Sequence, residues 1–451
     1  MKNKPLLFLL SVCGLLAISA RGENPPAKVI FEQYMNQAQT FADNYPREKA
    51  YLHFDNTSYY VGDTIWFKAY VTLAEKQVFS SISRPLYVEL VDQAGHVTDK
   101  QIIKLSQGEG NGQFVLPQSM LSGYYEVRAY TRWMLAFSDP QYFSRTFPVY
   151  QLSHSDQLER SISTYELSPS MEKRPEETRE KLSLRFFPEG GQLVEGITSQ
   201  VAFKAESKNE GNIQLSGTLY TKEGQEITSF ETLHDGMGAF EYTPSALPAI
   251  AKVNFQGKQY EFTLPKALPS GYILKVGNNA GAISVTVSCN AATPQDTLAV
   301  FISHQGRPHA YQLIHCQANK PQQFTVLSRK LPAGVLQISL LNRAGNTLCD
   351  LFIFASPRAP LQISPKGLKE IYAPYAPIRC ELQLNNAIGE PIPGKLSVSI
   401  RDAVRSDYME YDNNIFTDLL LTSELKGYIH QPGFYFADRS PARRKMLDNL
   451  L

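Results

Sequence analysis

Apolar and polar side chains alternate over short runs through most of this chain, and glycine, proline, asparagine and aspartate break the runs. Leu52 and Phe54 recur two apart, and so do Ile65, Phe67 and Ala69. A period of two puts successive side chains on opposite faces of a strand, so each set shares one face. Gly62-Asp63 between them supplies backbone suited to a reversal, and the pair predicts two strands at a sandwich edge. Further strands follow at 86–91, 101–105, 112–116, 123–130 and 141–149, with turn signals such as Asp92-Gln93-Ala94-Gly95 between them. Runs at this spacing predict an antiparallel sandwich over 47–150.

The plan recurs along the chain. Over 182–265, Phe203-Lys204-Ala205 echoes Phe67-Lys68-Ala69, and runs at 216–220, 227–233 and 238–242 continue the meander, with Asp235-Gly236 as a hairpin turn. A third unit is predicted over 266–357, closed by the prolines at 357 and 360. A fourth over 358–451 opens at Tyr372, turns at 385–389 and enters a strand at 395–400. Similar units in series predict an array in which neighbours share interfaces.

Two stretches change period. Ile30, Phe31, Tyr34, Met35, Ala38 and Phe41 recur three and four apart, which predicts a helix over 27–42 within the segment 23–46, placed as a brace on the first sandwich. Ile415, Leu419, Leu420, Leu421 and Leu425 predict a second helix stopped by Gly427, and 440–451 a third. Between the first two sandwiches, 151–181 is polar and charged and reads as a linker. Residues 1–22 read as a cleaved secretion signal: Lys2 and Lys4, an apolar run over 6–18, then Ser19, Ala20 and Gly22. That run is shorter than the roughly 20 residues a membrane span needs, and no later run reaches that length. Val12 ahead of Cys13 does not suit lipidation. Export to the periplasm or the outer membrane is the expected destination.

Tyr51, Asp55, Tyr60, Gly62, Asp63, Phe67 and Lys68 resemble the opening phrase of the macroglobulin domain of the alpha-2-macroglobulin superfamily. Trp66 fits the variant in large cell-envelope proteins of Bacteroidota-like bacteria. Further matches lie at 185–193, at 331–337 with Gly345, and at 420–432. The resemblance implies an all-β fold of tandem antiparallel β-sandwich domains of the macroglobulin or fibronectin-III kind, with an N-terminal helix and short C-terminal helices. It also implies the N-terminal part of a longer architecture without the thioester domain. Two functions come with it: a non-covalent endopeptidase inhibitor, or an extension of a TonB-linked outer-membrane uptake receptor. The expected partner is accordingly a protease or an outer-membrane receptor.

Charge and chemistry narrow the picture further. With 44 basic against 43 acidic residues, neither nucleic acid nor an anionic membrane is the expected partner. Beyond Cys13 the cysteines are Cys289, Cys316, Cys349 and Cys380; they read as buried free thiols, or as one bridge within 270–356 whose pairing stays open. Cys380 and Gln383 have the superfamily's thioester spacing but lie in a predicted strand, where they face opposite ways. His304, His309 and His315 are five and six apart, which fits no zinc pattern. Pro188-Glu189-Gly190-Gly191 reads as a tight turn. Asp402 with Asp407 or Glu410 is one carboxylate pair among many. Tyr408, Tyr411, Phe434, Tyr435 and Phe436 read as a contact surface or as a packing seam for a further domain. Arg160, Lys173, Arg174 and Arg179 make 153–181 a candidate bait, though a plain linker is the simpler reading. No catalytic, cofactor-binding or metal-binding residue is assigned, and the expectation is a non-enzymatic binding or scaffold protein.

Overall fold

The computed structural model describes residues 25–151, 182–208, 210–279, 281–357, 361–386, 388–401 and 410–451. The predicted leader and nearly all of the linker lie outside them. Antiparallel sheets dominate, with a helix ahead of them and short helices after, so the all-β expectation holds.

In the first sandwich, Glu48–Phe54, Thr64–Leu73, Val78–Phe79 and Glu109–Val115 form one sheet. Tyr59–Tyr60, Phe143–Tyr150, Gly123–Tyr130, Pro85–Val91 and Val97–Lys104 form the other. Leu52, Ile65, Phe114 and Phe147 are fully buried between them. Each such side chain contributes roughly 1.5–3 kcal/mol by leaving water. The rings of Phe54 and Phe147 meet edge to face at 4.6 Å, tying the sheets together.

The Gly62-Asp63 turn differs from expectation. The strands around it do pair, Phe54 opposite Phe67, but no tight hairpin joins them. Tyr59–Tyr60 crosses to the other sheet and pairs in parallel with Val149 and Tyr150. Gly62, at φ +91, then returns the chain. Tyr59 explains the detour, because its buried ring packs on Phe147 at 5.4 Å while its hydroxyl donates to Asp55 at 2.7 Å.

The second sandwich pairs Leu182–Pro188, Ser199–Ser207, Gly211–Asn212 and Met237–Tyr242 in one sheet, with Glu226–Glu231, Ser216–Tyr220, Ile250–Phe255 and Lys258–Thr263 in the other. Phe203, Phe230 and Phe240 fill its centre. Asp235 and Gly236 both take positive φ, 50° and 71°, and close a tight turn with Met237 N donating to His234 O at 2.8 Å, but the strands on either side belong to opposite sheets, so the expected hairpin is a crossing between sheets.

The third stacks Tyr272–Asn279, Ala282–Cys289 and Gln322–Leu327 on Arg307–Cys316, Asp296–His304, Gly334–Leu341 and Thr347–Ala355. The turn after Pro188 docks here: Glu189 accepts from Val276 N at 3.1 Å, and Gln192 Nε2 donates to Tyr272 O at 2.9 Å.

Helix α1 (Ala27–Asn44) braces the third sandwich, not the first. Phe31, fully buried, packs with Ala299, Phe301 and Tyr311, and Tyr34 donates to Arg343 O at 3.0 Å. The reason lies in Leu298-Ala299-Val300-Phe301-Ile302, an unbroken apolar run that needs cover on both faces. Just past α1 the chain meets the first sandwich, where Tyr45 stacks on Trp133 and Trp133 Nε1 donates to Pro46 O at 2.7 Å.

The segment expected to form a fourth sandwich holds, among the described residues, one two-stranded ribbon, Gln362–Lys366 with Glu381–Asn385. The predicted strand at 395–400 is extended, as its alternation requires, but joins no ladder. Ser397 turns toward the body and hydrogen-bonds His53 Nδ1 at 2.6 Å, while Leu396, Val398 and Ile400 face water. After it, α2 (Ile415–Leu420), a turn at Thr422–Glu424, another at Pro432–Phe436 and α3 (Pro441–Leu450) wedge between the three sandwiches.

Candidate interaction surface and buried junction

The chain carries two concentrations of unusual chemistry. The first is a buried ionic junction where the C-terminal segment meets the first and third sandwiches. Lys49, on an edge strand of the first, donates to Leu419 O at 2.7 Å and pairs with Glu424. Glu424 also accepts from Gln305 Nε2. His304 Nε2 stands 3.6 Å from the same carboxylate, an ion-pair distance and too long for a hydrogen bond. Lys49, Glu424 and His304 side chains are each at most 4% exposed, so no solute reaches them.

Burial depresses the Lys49 ammonium, with Glu424 opposing the shift. Burial alone raises a carboxyl, yet Lys49 and His304 together hold Glu424 below its ordinary range. Asp418, on α2, is pushed up to about 6 by burial, partly offset by an amide hydrogen bond from Asn413 and by Lys49. Next to this group, Arg307 bridges Glu75 at 2.9 Å and Asp43 at 2.8 Å, tying α1 and the first sandwich to the third. Among the described residues, both ring nitrogens of His304 are buried without a hydrogen-bond partner, while Lys49, Gln305 and Glu424 satisfy one another, so the group ties the C-terminal segment to the first and third sandwiches.

The second concentration is a surface. Eleven of the exposed large hydrophobic side chains lie between 361 and 400. Ile371, Ile388 and Ile400 are 85%, 79% and 93% exposed, and Val398 and Ile378 are more than half exposed. Scattered single hydrophobics on a surface need no explanation, but eleven within 361–400 make this stretch the candidate contact region. Ile392 N donates to Leu384 O at 2.9 Å at one end of the ribbon, and among the described residues no further named strand pairs with its edges, the usual template for strand addition.

The sequence-derived candidates distribute as follows. His304 and His309 rings stand 6.4 Å apart, and burial, then His304 and Arg307, depress His309 to about 4, which leaves it neutral. His315 instead meets Thr297 at 3.2 Å. Among the described residues no group of three histidine, cysteine or acidic side chains is arranged to hold a metal. Cys380 is exposed, while Gln383 is engaged by Lys366 and donates to Asn385 at 3.0 Å. Asp402, Asp407, Tyr408 and the stretch 153–181 lie outside the described residues.

The aromatic set resolves into neither expected role. Phe434 stacks on His234 of the second sandwich at 3.7 Å, Tyr435 is buried, and Phe436 meets Phe354 of the third at 4.9 Å. These rings seal the C-terminal segment onto its own chain. Sequence reasoning missed Lys49 and Glu424; the one signal was the charged Glu48-Lys49 pair opening a strand that continues Ala50-Tyr51-Leu52. Among the described residues, one cavity of about 110 Å³ lies in the third sandwich beside Val300 and Phe324, and one of about 10 Å³ lies beside Lys49. Both fall below the roughly 300 Å³ at which small-molecule sites begin.

No family model and no curated protein sequence matches the chain. Solved structures do. Salmonella alpha-2-macroglobulin reacted with methylamine aligns over 75% of this chain and 25% of its own, at 12% identity and a TM-score of 0.20. Native Escherichia coli alpha-2-macroglobulin gives 76%, 25%, 11% and 0.21. The Escherichia coli adhesin FdeC aligns over 69% of this chain and 98% of its own, at 14% identity and 0.18. The chain thus spans about a quarter of the length of these macroglobulins. At such scores the sandwich assignment rests on the strand pairing itself.

Proposed function

We propose that this chain is an exported, non-enzymatic binding module, and that its contact face is the apolar ribbon and strand at 361–401. The occupant is a protein partner that supplies an extended, alternately apolar segment. One observation carries the reading. The other three units bury their apolar strand faces between two sheets, whereas among the described residues here a two-stranded ribbon leaves Ile363, and an extended stretch outside any ladder leaves Val398 and Ile400, in water. Added strands satisfy both needs of such a face, backbone pairing and apolar cover. A protease held without covalent chemistry and an envelope receptor are the two partner classes compatible with this face and with the predicted leader.

Cys380 supplies the test, because it is the exposed cysteine among the described residues and sits beside the ribbon. The mature chain, labelled there with a photo-cross-linker, is illuminated in envelope extract. A discrete adduct is expected with the native sequence and not with the Val398→Glu/Ile400→Glu variant. An adduct that survives in the variant, or none in either, overturns the assignment.

A further inference from the structure

Three buried thiols gather at one end of the third sandwich. Cys289 closes Ala282–Cys289 in one sheet, and Cys316 closes Arg307–Cys316 in the other. Both point into the same core, each about 3% exposed. The turn after Cys316 folds back so that Asn319 N donates to Cys289 O at 3.1 Å, which fixes the two strand ends against each other. Of the titratable groups around the Cys316 thiol, Cys289 acts on it most strongly, ahead of Cys349.

Cys349 is different. Its Sγ donates to Tyr272 O at 3.0 Å and takes a bond from Gln192 Nε2 at 3.5 Å, so it is already used in the seam between the second and third sandwiches. Cys380 is remote from this core and exposed.

We propose that Cys289 and Cys316 form a disulfide when the chain folds in an oxidising compartment, stapling the two sheets of the third sandwich, and that Cys349 stays a thiol. The oxidant is a protein or small-molecule disulfide. One thiolate attacks it to give a mixed disulfide and releases the first oxidant thiol; the second thiolate displaces the other. Both chain hydrogens are lost as protons and two electrons pass to the oxidant, which leaves as two thiols. Timing follows from burial. Burial pushes the Cys316 thiol up to about 12, with the neighbouring Cys289 adding to it, and burial does the same for Cys349. Thiols of that kind are inert once packed, so exchange takes place before the sheets close.

The experiment is a thiol count and peptide map on the mature chain, produced by export and, separately, in a reducing cytosol. In denaturant the exported protein is expected to show two free thiols, Cys349 and Cys380, and the cytosolic protein four. Digestion without reductant should yield one linked peptide pair containing Cys289 and Cys316, lost on reduction. Four free thiols in the exported protein, or a linked peptide containing Cys349, overturns the proposal. The map needs no variant. Cys289→Ala and Cys316→Ala add a second reading, since each should free its partner while the Cys349 peptide stays reduced.

Discussion

Replacing Glu424 with glutamine removes one charge from the junction and keeps its shape. Lys49 then retains Leu419 O and the weaker pull of Asp418 but no paired carboxylate, in a place where its side chain is 4% exposed. Removing one partner of a buried pair costs about 3–5 kcal/mol, because an uncompensated charge is left out of water. Glutamine keeps one acceptor oxygen, enough for Lys49 or for Gln305 but not for both, so the expected loss stays within that range. Glu424 belongs to the C-terminal segment, so the cost should appear first as release of 410–451 from the sandwiches. Urea unfolding at pH 7 reads the magnitude, and limited proteolysis reads the place. The double variant Lys49→Met/Glu424→Leu should recover most of the loss, since apolar replacement of a buried pair is often neutral. Acid probes the same pair. Glu424 is held below its ordinary range, so its contribution is complete above the unfolded value, near pH 4.3, and is lost as pH falls through the lower folded value. A single variant within about 0.5 kcal/mol of the parent, with the segment still protected, would refute the reasoning.

Two further outcomes follow from burial. Asp418 carries a folded value of about 6 against an ordinary 3.8, so its ionised form opposes folding at pH 7 and the penalty disappears as pH falls toward 4. Asp418→Asn should therefore stabilise by up to about 2–3 kcal/mol at pH 7 and by nothing near pH 4, as denaturant midpoints at the two pH values will show. Phe31→Ala empties a fully buried site between α1 and the third sandwich and should cost about 3–5 kcal/mol. Hydrogen exchange should then show α1 opening while the first sandwich keeps its protection.

Local pattern carried the reading furthest where period and turn chemistry agree. The Asp235-Gly236 turn was legible because two positive φ angles select such a pair, and the strand Gly123–Tyr130 because its alternation is unbroken. Partnerships across the chain were not legible. Tyr59–Tyr60 looks like the approach to a hairpin, and only its parallel partner at 149–150 shows the crossing. The seat of α1 was in reach, since the five apolar residues from Leu298 announce a strand covered on both faces. Lys49 and Glu424 lie 375 positions apart, and no local rule joins them. The segment after 358 misled for another reason. Its alternation is that of a sandwich strand, but alternation states that a face wants cover and does not say which polypeptide provides it.

The wedge formed by 410–451 touches all three sandwiches at once: the first through Lys49 and Arg145, the second through His234 and Met237, the third through Val335 and Phe354. A row of β modules joined only end to end would bend at every joint. Here one stretch of chain splints every joint together, so the spacing and tilt of the modules become a single mechanical variable. Whatever pulls on that stretch loosens the whole row, and whatever seats it stiffens the whole row.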